Sequence, residues 1–140
     1  MSGKSRRLLL ITLAALLATG IGVMAWRYFQ RGWTVSKLHR LIRTEISSDC
    51  ERKQIEEWLD HHAIKHTYFT DTTSFGSDGR TMPDMAGLKS GELSGMVVGE
   101  IEGPEANVSL IASGRISLYF FLNRQGRYVG NYIEPFAYMP

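Results

Sequence analysis

A single cysteine, Cys50, leaves this 140-residue chain without the means to form an internal disulfide. That excludes a disulfide-stapled mini-protein and a multi-cysteine zinc module. Cys50 also lies well past the apolar N-terminal run and lacks the Leu-x-x spacing of a lipoprotein processing site, which argues against a lipid anchor. The chain has no internal repeat and no alternating strand-helix series. A parallel nucleotide-binding sheet is therefore disfavoured. Its glycine-rich stretches are not followed by Lys-Ser/Thr, so no phosphate loop is written in them. Net charge is scarce too. Of 16 Lys/Arg, three (Lys4, Arg6, Arg7) precede the apolar run, which leaves 13 against 14 Asp/Glu in the rest. A near-neutral domain without an aromatic-flanked basic stripe argues against nucleic acid as a partner.

What the chain does have is an uncharged run, Leu8 to Trp26, close to the roughly 20 residues that a helix needs to cross a bilayer. Lys4, Arg6 and Arg7 precede it. Trp26, Tyr28, Phe29 and Trp33 follow among Arg27 and Arg31, the composition of an interfacial belt. A cleaved secretory signal is the rival, with Val23-Met24-Ala25 as its small-residue site. The length of the run and the bulky, charged start of the would-be mature chain favour an uncleaved anchor. The expected organisation is a basic tail (1–7), a signal-anchor helix (8–26), a juxtamembrane linker (27–33) and one small domain (34–140). The bilayer is the first expected partner. Cations on both flanks leave the charge rule undecided on orientation. The commoner layout, a short basic tail in the cytoplasm, puts the domain on the periplasmic side of a bacterial inner membrane. Ala14, Ala18 and Gly22 recur every four residues and form a stripe suited to helix packing; small residues are also simply frequent in membrane helices.

The domain reads as α+β. Thr34 is placed to cap a helix that lines up Val35, Leu38, Leu41, Ile42 and Ile46. Ser48 and Glu51 form a capping-box pattern before a second helix, in which Ile55, Trp58, Leu59 and His62 share a face. From Ile64 the residues turn aromatic and β-branched, which predicts a first strand ending near Asp71. A long loop over 71–92 follows, then a strand at Leu93 to Ile101 and the alternating strand RISLYFFLN. A turn at Asn123 to Gly126 returns the chain as RYVGNYIEPF, with Pro135 expected to end pairing. Two short helices packed on a three- to four-stranded antiparallel meander are the expected fold. The segments TVSKLHRLI, ERKQIEEWLDHHAI and FFLNRQGRYVGNYI resemble, as a pattern, small envelope domains of the BamE/SmpA type. That resemblance implies an α-α-β-meander scaffold of envelope assembly, here with a transmembrane anchor in place of the family's lipid-bearing cysteine.

Candidate chemistry is sparse. His62 and His66 have the i, i+4 spacing of a metal-binding helix face, beside Asp60 and His61, but the strand pattern begins between them. Cys50 at a helix start would gain nucleophilicity from the dipole if a histidine served as its base. Glu100, Glu102 and Glu105 cluster without a partner nucleophile and read as a solvated edge. In the long loop, Phe75, Met82, Met85 and Leu88 either anchor a protein partner or tuck back onto the sheet. The reading favoured is a non-catalytic, membrane-anchored envelope domain that binds or scaffolds a protein, without cofactor. The alternative is a small metal- or thiol-dependent enzyme using His62, His66 and Cys50.

Overall fold

A computed structural model of the chain describes residues 3–72, 80–108 and 114–138, in two compact units, Met1–Gly32 and Trp33–Pro140. The first unit is one helix, α1 (Gly3–Arg31). Its segment Ser5–Trp26 spans 22 residues with mean hydropathy 2.4 and is exposed along its length. At 1.5 Å per residue that is about 33 Å of helix, long enough and apolar enough to cross a bilayer. The two threonine hydroxyls within it, on Thr12 and Thr19, donate to the carbonyls of Leu8 and Ala15 at 2.7 Å and so need no water. Ala14, Ala18 and Gly22 lie exposed on this helix.

The second unit opens with α2 (Val35–Glu45), capped as expected by Thr34, whose hydroxyl accepts from the Lys37 N–H at 3.2 Å. Leu38, Ile42 and Ile46 are buried along its inner face, with Val35 and Leu41 packed beside them. The cap of α3 (Arg52–His61) differs from expectation. Glu51 occupies the N-cap and exchanges hydrogen bonds with Gln54, whereas Ser48 lies in the preceding turn. Asp49 explains the shift: its φ of 67° is left-handed and cannot be continued into a right-handed helix from Ser48. The helix stops after His61, where Ala63 takes φ 55° and Ile64 N–H returns to the Leu59 carbonyl at 2.9 Å.

Four strands follow: β1 (Lys65–Phe69), β2 (Leu93–Gly103), β3 (Gly114–Asn123) and β4 (Tyr128–Ala137). They form one antiparallel sheet in the order β1-β2-β3-β4. The β3–β4 turn uses Gly126 at φ 72°. Pro135 does not end pairing; it stands opposite Ile116, and the ladder runs on to Ala137. β4 is an edge strand, where alternate N–H groups point away from the sheet, so a proline there need not break a ladder bond.

Register sorts the side chains into two faces. Val97, Ile101, Ile116, Leu118, Phe120, Leu122 and Ile133 face α2 and α3 and form the main core with Leu38, Ile55, Trp58 and Leu59. The other face carries a smaller cluster, Met96, Val98 and Phe121, covered by residues 81–88. The expected structureless loop therefore contains order: a one-turn helix, α4 (Met82–Met85), capped by Thr81, and a 3-10 turn at Ser90–Glu92. Pro83 in its first turn favours that helix, because its ring fixes φ near the helical value and its missing N–H is not required there.

Candidate functional site

The groups that suggested metal or thiol chemistry are held by structural partners. Glu45, the last residue of α2, accepts from Trp58 Nε1 at 2.7 Å and pairs with His62 Nε2 at 3.0 Å. Those two hydrogen bonds, His62 first, hold its carboxyl below the usual carboxylate range. The His62 ring lies 4.6 Å from Trp58 and 5.5 Å edge-on to Trp33. His66 sits on β1 and pairs instead with Asp60 at 3.0 Å. The helix ends between the two histidines, so they do not share a helix face. Among the described residues no group of three His, Cys, Asp or Glu is placed to hold a metal ion. Cys50 is 7 % exposed in the main core, and burial pushes its thiol up. An activated nucleophile needs the opposite shift.

Of the four loop residues singled out as partner anchors, Phe75 lies outside the described residues. Met82 is buried at 3 % exposure, and Met85 and Leu88 pack half-buried beside it on Met96, Val98 and Phe121. Further along the same face lies a polar set that the sequence did not disclose. Ser117 and Glu134 stand opposite each other on β3 and β4 and are both buried, and the Tyr119 hydroxyl donates to Glu134 Oε2 at 3.4 Å. Burial, followed by the charge of Glu134, raises the Tyr119 phenol. The Arg115 guanidinium lies 5.0 Å over the Phe136 ring. A strand alternating Ser117, Tyr119 and Phe121 opposite a lone glutamate was the available signal, but it emerges only once the β3–β4 register is known.

Three surface features remain. A cleft of about 290 Å³ brings Glu100, Glu102 and Glu105 together with Trp33 and Lys65. A second cavity, about 530 Å³, opens between α2 and β4; Ile42 and Ile46 form its floor, and Arg43, His39, Ser47, Ser48, Tyr128 and Asn131 line it. The third is the outer edge of β4. Its first residue, Tyr128, is already paired: its carbonyl accepts from Asp49 N–H and its N–H donates to the Cys50 carbonyl. Beyond it, no backbone hydrogen bond from outside the sheet reaches residues 129–137 among the described residues. That strand carries one ionisable group with a charge at neutral pH, Glu134, and it is buried. Val129, exposed at 40 %, is the extra residue of a bulge between Tyr128 and Gly130. Comparison of the chain with protein-family models, with curated proteins and with solved structures returns no match.

Proposed function

We propose that this chain is a single-pass, non-catalytic membrane protein whose α+β domain holds a protein partner by accepting an extended segment at the outer edge of β4. The observation that carries the reading is that edge. Folded proteins blunt exposed sheet edges with charge, shortness, bulges or proline, because open N–H and C=O groups pair with any available strand. The opposite edge, β1, is short and bears Lys65. β4 runs for 10 residues and presents no exposed charge. The bulge at Val129 and Pro135 confine the usable window to Gly130–Glu134, the length of an ordinary strand. Helix α1 would tether the domain, on the proposed layout to the periplasmic side of an inner membrane.

The test is a photo-crosslinking amino acid placed in the full-length chain in native membranes, at Val129 or, as a control, at Glu57 on the exposed face of α3. A discrete adduct is expected from position 129 and not from 57. Equal adducts from both positions would overturn the reading. So would a hydrolase or transferase activity abolished by Cys50→Ala or His66→Ala.

A further inference from the structure

We infer that the cavity between α2 and β4 is a binding site for a phosphate oxyanion, carried either by an anionic phospholipid headgroup or by free phosphate. The inference stands apart from the strand-addition reading and rests on the cavity's donors. Its polar lining includes Arg43, His39, Thr44, Ser47, Ser48 and Asn131 and no carboxylate, and of these the Thr44 hydroxyl is already committed to the Arg40 and Leu41 carbonyls. The Tyr128 hydroxyl donates to Asn131 Oδ1 at 2.8 Å, which turns that amide's two N–H donors to other use. Arg43 has no ion pair among the described residues, and its guanidinium fork is free at the rim.

The number of donors selects the ligand. A carboxylate presents two oxygens, whereas a guanidinium, an imidazole, two hydroxyls and an amide together match the three or four oxygens of a phosphate. The apolar floor of Ile42 and Ile46 lowers the local dielectric and strengthens each of those bonds. The surrounding sequence adds a field of the same sign. Glu45 is the first acid in the chain, and within the domain Lys37, Arg40 and Arg43 all precede it. Basic segments next to a membrane helix are drawn to anionic lipid surfaces. The contrast within the domain is local: the other cleft carries three glutamates and a single lysine.

Two arms separate the sources, both using the full-length chain labelled with nitrogen-15. In detergent micelles it is titrated with inorganic phosphate at constant ionic strength. In nanodiscs it is compared between phosphatidylcholine alone and phosphatidylcholine with phosphatidylglycerol. Saturable amide shifts at Arg43, Ser47, Ser48 and Asn131 are expected in at least one arm. Arg43→Gln should weaken them about tenfold, the scale of one lost charge-assisted bond. Arg40→Gln, which removes the same charge one turn away and outside the cavity wall, should leave them within about twofold. Asn131→Asp keeps the acceptor for Tyr128 and puts a carboxylate in the wall, and should abolish the response. A response to free phosphate identifies a soluble ligand; a response confined to the phosphatidylglycerol discs identifies a headgroup. No saturable shift in either arm, or equal weakening by Arg40→Gln and Arg43→Gln, overturns the site.

Discussion

Tyr128 shows how one side chain can join several features. Its ring packs half-buried against the main core, 6.2 Å from Phe120, while its hydroxyl reaches Asn131 in the wall of the cavity. Burial, with a smaller contribution from Cys50, pushes its phenol up from about 10 to about 12. A raised value means that the neutral phenol is favoured in the folded state. The resulting stability is fully present below the unfolded value near pH 10 and is lost as pH rises through about 12. Tyr128→Phe should therefore lower stability at pH 7 by about 1 kcal/mol, for the lost hydrogen bond. It should also flatten the alkaline limb, where the wild type loses about 2 kcal/mol between those two pH values. Urea unfolding at pH 7 and pH 11 checks both; a parallel alkaline loss in the variant would remove Tyr128 as its cause. Cys50, beside it, is the residue whose chemistry the sequence left most open. A thiol at the mouth of a helix and a thiol in a core have the same neighbours in one dimension, and burial distinguished them.

Among the elements, α2 and α3 depend on one carboxylate. Glu45 ends α2, and its bonds to Trp58 and His62 fasten that end to the inner face of α3. Because its folded value is depressed, the stability it confers is present above the ordinary carboxylate value of 4.5 and is lost as pH falls through the lower folded value. Glu45→Gln, which keeps an acceptor for the indole, should unfold at a midpoint that changes less between pH 5 and pH 3 than that of the wild type, as read by thermal melts. Helix α3 meets the sheet at Gly99, where a Cβ would stand 2.9 Å from Leu59 Cδ2 and 3.2 Å from Ile64 Cγ2. Gly99→Ala should cost about 1–3 kcal/mol by overpacking. An unchanged urea midpoint would mean that the helix can lift away freely. The existence of these elements was legible because periods of 3.6 and 2 follow directly from which residues must face the core. Their ends were less so. The start of α3 turned on the left-handed backbone of Asp49, and the survival of β4 past Pro135 turned on its edge position, neither of which a local pattern carries. The one-turn α4 was hidden because its stability comes from Met82 packing on Phe121 more than from its own four residues.

At the level of the whole molecule, the candidate site was the least legible part, because it is assembled from pairs far apart in the chain. Ser117 meets Glu134, and Arg43 shares a cavity with Asn131, only through the β3–β4 register and the docking of α2. The long apolar run, by contrast, was visible from composition. The apolar side chains of residues 8–26 are exposed, while the second unit closes its own core on both sheet faces and ties its first residues down through Trp33, whose N–H and carbonyl pair with Glu105 and Asn107. A unit that buries its apolar surface internally should not draw on the helix for its stability. A chain beginning at Trp33 should therefore unfold in one cooperative transition, with a midpoint within about 5 °C of the full-length protein in the same detergent, a difference of roughly 1 kcal/mol for a domain of this size. Circular dichroism melts of the two proteins make the comparison. A fall of more than about 15 °C would mean that residues before Trp33 complete the domain, and α1 would then have to be counted as part of its core as well as its tether.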